Sequence, residues 1–207
     1  GPDSSKVRTS FPNICNYVVD YTDTAFSAGI PKEIMAAFVA VESSGNNLAV
    51  RFEPHKFNGN QNATSGDSKT TMPYTPNGSG FSSVASETNR AAFERAFLID
   101  KRKAITSTSF GSVQVLGGHL LKLYKNDPDK AKTAFFGQAS GDQEISKQLV
   151  INWFKDRPAA VAAAKSGNFA ELARLYNGSR YAENAYDVNI KNASDEAKKC
   201  NSGATSA

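Results

Sequence analysis

Cysteine, histidine, methionine and tryptophan are scarce along this chain: two Cys, two His, two Met and one Trp in 207 residues. With so few thiolate and imidazole donors, and none of them ligand-spaced, neither a protein-held metal nor any other cofactor is expected. No apolar run approaches the ~20 residues that a bilayer-spanning helix needs, so membrane insertion is not expected. A secretory leader with a basic start and a small-residue cleavage site is also missing, and Gly1-Pro2 reads as the scar of a removed tag, which leaves room for a longer parent protein. Lys and Arg exceed Asp and Glu by only four, 24 against 20, giving a pI near 9.0. They are scattered, with no basic stripe, interleaved aromatics or DNA-reading motif, so nucleic acid is excluded as a partner. The surplus favours approach to an anionic polymer.

What is present is ordinary for a globular protein: 40% hydrophobic and 21% charged residues in 22.2 kDa. That size suits one domain, or one domain with a small lobe, and can bury a core. Cys15 and Cys200 lie near opposite ends. A disulfide between them would contribute roughly 4 kcal/mol by closing so long a loop, provided the compartment is oxidising. Two reduced thiols are the reading adopted, because cysteines this far apart in sequence are mostly unlinked.

The chain is organised around residues 34–55. Ile34, Phe38 and Val41 recur at helical spacing, and Glu42, four residues beyond Phe38, falls on the same buried face. Ser43-Ser44-Gly45 ends the helix there and leaves Glu42 in its last turn, where the partial negative charge of the helix opposes ionisation. Desolvation acts in the same direction. A carboxyl group that keeps its proton near neutrality is the reagent that protonates a glycosidic leaving oxygen. The plainer alternative is a helix-end Glu in solvent or paired with Arg51.

Further motifs accompany this acid in a fixed order. Arg51-Phe52-Glu53-Pro54-His55-Lys56-Phe57 follows it, then Ser107-Thr108-Ser109-Phe110-Gly111-Ser112-Val113-Gln114-Val115-Leu116-Gly117, then Ala173-Arg174-Leu175-Tyr176-Asn177-Gly178. Together they resemble the lysozyme-like N-acetylmuramidase family of phage endolysins and type VI secretion effectors, over residues 30–192. The resemblance implies a mainly α, lysozyme-like fold: a helical bundle with a small β-lobe or extended hairpin after the catalytic helix. It supports Glu42 as the catalytic acid and places Glu53 across a cleft from it, where Glu53 is the candidate catalytic base. His55, Ser109, Gly111, Gln114, Tyr176, Asn177 and Tyr181 become substrate-binding candidates. Residues 107–111 take the part of the Gly-Leu-Met-Gln segment of lytic transglycosylases and goose-type lysozymes, and Tyr181 and Tyr186 belong to a closing segment.

Each assignment has a structural alternative. Glu53 on a strand can simply pair with a neighbouring Lys or Arg. Gln114 can orient a sugar amide or hold a loop. Gly111 permits close backbone approach. Trp153 lies on the helical stripe of Ile145, Leu149 and Val150 and reads as core, as does Tyr186.

The remaining pattern gives a leader over 1–12, a folded domain over 13–193 and a polar tail over 194–207. A first helix is expected over 13–28 with Ile14, Val18, Tyr21 and Phe26 inward, and a short strand or edge over 50–57. The Gly-, Ser- and Asn-rich stretch 58–83 is read as a cleft flap or a bare insertion. Ser86 caps a helix to Leu98, with another turn over 101–105. Helices open at Asp127-Pro128, Gly141-Asp142, Arg157-Pro158 and Asn168, and a last one opens near Arg180.

The expected activity is hydrolysis of the β-1,4 bond between N-acetylmuramic acid and N-acetylglucosamine in peptidoglycan. A lytic transglycosylase leaving 1,6-anhydro-muramic acid ends, or a non-catalytic wall-binding module, are the alternatives. Glycan strands are the expected partner, joined by an immunity protein if the chain is a secreted effector. The protein is read as a monomer acting in the periplasm or cell wall, delivered by a secretion system, a holin or a larger carrier.

Overall fold

The computed structural model describes residues 4–59 and 87–200, so most of the proposed flap and the expected cap Ser86 lie outside the described residues. Where the sequence suggests one domain or one with a small lobe, the chain forms two compact units. One comprises residues 1–45 and 150–207, the other residues 46–149.

In the first unit, α1 (Ile14–Asp20) and α2 (Thr22–Ala28) replace the single helix expected over 13–28. Tyr21 sits between them outside helical geometry, at φ −109° and ψ 11°. The break resets the helical phase, so Tyr21, Ala25 and Ala28 turn inward while Phe26 is 88% exposed instead of buried. Gly29 ends α2 in the left-handed region.

Helix α3 (Lys32–Ser43) is buried around its whole circumference over residues 34–40, more than the one-sided stripe expected. Its end is built by three neighbours. Ser44 is left-handed at φ 53°, Gly45 follows at φ 85°, and a Cβ on Gly45 would lie 2.8 Å from the Tyr17 ring. The Tyr17 hydroxyl donates to the Ser44 carbonyl at 2.8 Å, and the Gly45 N–H donates to Ser43 Oγ at 3.1 Å. Only glycine satisfies both the dihedral and the space.

Helices α10 (Pro158–Ser166), α11 (Phe169–Asn177) and α12 (Tyr186–Ala197) complete this unit, with a 3-10 turn over Tyr181–Asn184 where the last helix was expected to open. Asn168 caps α11 as expected, its side chain accepting from the Glu171 N–H. Helix α12 packs along α3 and presents Ile190, Ala193, Ser194 and Ala197 as buried residues. Ser194 and Ala197 thus belong to this helix and not to a tail beginning at 194. Nor are residues 4–12 loose. Asn189 accepts from the Arg8 N–H at 2.7 Å and donates to the Lys6 carbonyl at 3.0 Å, Asn192 donates to the Arg8 carbonyl at 2.9 Å, and Phe11 is 2% exposed. Buried amides with backbone partners hold this strap down.

Cys15 and Cys200 form a disulfide, with Cα atoms 5.5 Å apart across a separation of 185 residues. The expectation of two thiols fails because α1 and the end of α12 pack in the same unit, a proximity that sequence distance does not report.

The second unit carries a three-stranded antiparallel sheet in the order β1 (Val50–Phe52), β2 (Thr108–Phe110), β3 (Val115–Leu116). Val50 pairs with Phe110 and Phe52 with Thr108. Only the first half of the expected 50–57 strand forms, since Pro54 occupies the first turn of α4 (Pro54–Phe57) instead of an edge. Beyond the masked stretch come α5 (Asn89–Ile99), capped by the Thr88 side chain, and α6 (Lys101–Thr106). Helix α7 (Gly117–Leu123) was not anticipated, because Gly117-Gly118 reads as a breaker. A Cβ on Gly117 would collide with the Ile105 carbonyl of α6, so the residue is there for close approach. Helix α8 (Pro128–Phe136) opens on Asp127 as expected, and Phe93, Phe110, Phe135 and Phe136 stack edge-on or tilted with centroids 4.9–5.8 Å apart. Helix α9 (Glu144–Lys155) supplies Ser146 and Leu149 to this unit and Trp153 and Phe154, both buried, to the first. Among the described residues no single helix is long and apolar enough to cross a membrane.

Closing so long a loop constrains the unfolded chain by about 4 kcal/mol. Replacing Cys15 by Ser is therefore expected to lower the melting temperature by about 10 °C, and reductant should do the same to the parent protein. Calorimetry with and without reductant checks this, and equal melting temperatures would contradict it.

Candidate active site

Glu42 occupies the last turn of α3, half-buried, four residues beyond the fully buried Phe38. Two tyrosines gather around it within the first unit. Tyr176, at the end of α11, lies with its ring 4.4 Å from Phe38 and 4.6 Å from Trp153, and the Arg157 guanidinium caps the other ring of that stack, 4.4 Å from the Trp153 centroid. It is half-buried as a residue, with its hydroxyl end enclosed. Burial pushes the Tyr176 phenol well above the ordinary tyrosine range; the Glu42 charge adds to this and Arg157 opposes it. Tyr186, the first residue of α12, is 6% exposed. Burial raises its phenol well above the ordinary range too, and Glu42 adds to the shift both by charge and as a hydrogen-bond acceptor. By strict geometry the buried Tyr186 hydroxyl has no hydrogen-bond partner among the described residues.

Asn177 is the last residue of α11 and exposed; Tyr181 opens the 3-10 turn, half-buried. Tyr176 is thus gathered with Glu42 through ring stacking and charge, whereas Asn177 and Tyr181 are placed on the segment that follows.

The second unit holds its own group. Glu53 precedes α4, and its backbone N–H donates to the Ser107 carbonyl at 2.9 Å. Its carboxylate lies 2.9 Å from Lys56 Nζ and 3.8 Å from Nε2 of the buried His55. Lys56 becomes a neighbour only because Pro54 starts a helical turn that brings residue i+3 round. The alternation of residues 50–57 alone does not single out Lys56.

Ser109 pairs with Arg51 on one side and Leu116 on the other, and these residues form the outward face of the sheet, with Arg51 and Leu116 exposed. Gly111 is left-handed at φ 84°, donates its N–H to the Ala49 carbonyl at 2.8 Å, and would drive a Cβ into Ser146 Oγ. Its freedom therefore serves the approach of α9 in this unit. Gln114, at φ 53°, spends its amide N–H groups on the Ala49 carbonyl at 3.1 Å and the Gly111 carbonyl at 3.0 Å, holding the loop between β2 and β3. That is the structural role weighed for it, and it leaves the amide oxygen as the group with which to read a sugar.

Comparison with known proteins identifies the family. A family model described as Muramidase, N-acetylmuramidase, matches residues 31–198, from the start of the Glu42 helix to the end of α12. The chain belongs to the N-acetylmuramidase family. It is accordingly a glycoside hydrolase acting on peptidoglycan. Among solved structures it is similar to the endolysin of the Burkholderia phage AP3, with a TM-score of 0.59 at 22% identity over 87% of this chain and 70% of that one. At that identity the likeness establishes a shared lysozyme-like fold. No curated protein matches. The muramidase match takes in both acids, Glu42 and Glu53, together with Tyr176 and Tyr186.

Both buried phenols of this muramidase keep their protons beyond the ordinary range, which fixes the sign of an alkaline effect. Their contribution to stability is complete below the unfolded pKa near 10 and disappears as pH rises toward the folded values. The melting temperature is expected to fall between about pH 9 and about pH 11, less steeply in Tyr186→Phe by the share of one proton. Parallel curves for the two proteins would exclude a buried neutral phenol at 186.

Proposed function

We propose that the chain hydrolyses the β-1,4 bond between N-acetylmuramic acid and N-acetylglucosamine, with Glu42 as general acid. The observation that carries this reading is a half-buried carboxyl group in the last turn of an apolar helix, flanked by two enclosed phenols. Loss of water and the negative end of the helix both favour a carboxyl that holds its proton, and the phenols bring donors without a cationic charge. In the reaction Glu42 gives its proton to the bridging oxygen as the bond from the muramic acid C1 breaks, and water adds at C1 while a carboxylate takes the water's proton. Glu53 is the candidate for that base. Its pairing with Lys56 and the adjacent His55 hold it in one orientation.

The disulfide favours work in an oxidising compartment, which suits a periplasmic or wall substrate reached through a secretion system, a holin or a carrier. Glycan strands are the proposed partner.

Glu42→Gln preserves shape and removes the proton donor, and is expected to lower release of soluble fragments from purified peptidoglycan by about 10² or more. Parental turnover by that variant would end the assignment. Glu53→Gln is expected to lower turnover by about tenfold or more if Glu53 is the base, and parental turnover would demote it to a structural residue. Mass spectrometry of the parent's products is expected to give reducing muramic acid ends. Ends in 1,6-anhydro-muramic acid would replace hydrolysis by transglycosylation, and binding without soluble product would indicate a wall-binding module.

A further inference from the structure

Every residue from Leu98 to Lys103 is exposed, at the corner of the second unit where α5 ends and α6 begins. Two of them are adjoining aliphatics, Leu98 at 88% exposure and Ile99 at 42%. Three are cations, Lys101, Arg102 and Lys103. Asp100, between the two groups, is used locally: its side chain accepts from the Lys103 N–H at 3.0 Å as the cap of α6. A lone exposed leucine needs no explanation, but two aliphatics running into three cations make an amphipathic corner. Local stability does not account for the cations, since basic residues in the first turn of a helix oppose its dipole.

Charge gathers around this corner. Between Glu87 and Phe136, nine Lys and Arg face five Asp and Glu, a surplus of four that equals the surplus of the whole chain. Helix α6 packs against α5, α7 and α8, which brings these residues into one group. The acids are engaged: Glu87 with Arg95 at 2.8 Å, Glu94 with Lys132 at 2.8 Å and Asp129 with Lys101 at 3.0 Å, while Asp127 caps α8. Arg102, Lys122, Lys125 and Lys130 make no ion pair among the described residues, and Lys103 lies 5.5 Å from the Phe57 ring centroid. Val19 and Phe26, the other strongly exposed hydrophobic residues, have the opposite setting, with the exposed Asp20 following Val19 and the exposed Asp23 three residues before Phe26.

We propose that this corner docks the protein on an anionic phospholipid bilayer, with Leu98 and Ile99 dipping below the headgroups and Lys101, Arg102 and Lys103 at the level of the phosphates. Long basic side chains suit that boundary, because their stems lie in the apolar layer while their heads stay in water. Each cation adds attraction to an anionic leaflet, and the attraction fades within a Debye length. The contact is peripheral and spans nothing. A soluble polyanion would satisfy the cations but leave both aliphatics in water. A single-stranded nucleic acid would also want an exposed aromatic to stack on, and the phenylalanines of α5, Phe93 and Phe97, are buried. The proposal does not depend on which residue is the general acid.

Flotation of the full chain with vesicles of phosphatidylcholine containing about 30% phosphatidylglycerol, against vesicles of phosphatidylcholine alone, tests this. Binding to the first and not to the second is expected, with loss at about 0.5 M salt. The double change Leu98→Ser, Ile99→Ser is expected to weaken binding about fivefold or more, and so is Arg102→Ala, Lys103→Ala. Phe26→Ser is expected to bind as the parent does. All of these side chains lie at the surface, so each variant should melt within a few degrees of the parent. Absence of binding to the anionic vesicles, or equal binding to both kinds, overturns the proposal. Binding that survives Leu98→Ser, Ile99→Ser also overturns it, by leaving the cations to a soluble polyanion, and loss in Phe26→Ser alone would move the contact to another surface and overturn it as well.

Discussion

The stop at the end of α3 is the constraint on which the first unit turns. Ser44 and Gly45 leave helical space together, the Tyr17 ring fills the place of any Cβ on Gly45, and the Tyr17 hydroxyl takes the Ser44 carbonyl. A helix that ran one turn further would continue past Glu42, surround it with main-chain bonds and lose the negative end of the helix from beside the carboxyl. Because the helix stops here, the acid is left in its last turn, beside the negative end of the helix. The buried stretch of α3 and the length of α12 packed along it make that ending rigid.

Much of this was legible in the sequence for identifiable reasons. Phe38 and Glu42 share a face by simple spacing, and Ser-Ser-Gly is a helix-stop pattern whose meaning does not depend on tertiary packing. Asp127 and Asn168 announce two helices because a cap side chain and a following N–H interact within one turn, and Arg157-Pro158 announces a third because proline suits the first helical turn. Trp153 and Tyr186 were placed in the core by stripes that the structure retains.

What was not legible depended on contacts between distant residues or on a local break. Nothing in residues 13–28 marks Tyr21 as a place where the helical phase resets, so Phe26 was assigned to the wrong side. Gly117-Gly118 resembles a breaker until Ile105 is seen lying where a side chain would go. Both readings of Gln114 stay open in the sequence, because one of the two partners of its amide N–H groups, the Ala49 carbonyl, lies 65 residues away and only folding brings it near. Lys56 was overlooked for the same reason, since it meets Glu53 only across a helical turn that the alternation of 50–57 concealed.

The staple between Cys15 and Cys200 brings points 185 residues apart to within 5.5 Å at their Cα atoms. A polypeptide threading in beside the first and out beside the second would need almost no span to do so. The unit therefore has the geometry of a cassette that can sit in a loop of a host protein, and its two connections would leave as a single stalk.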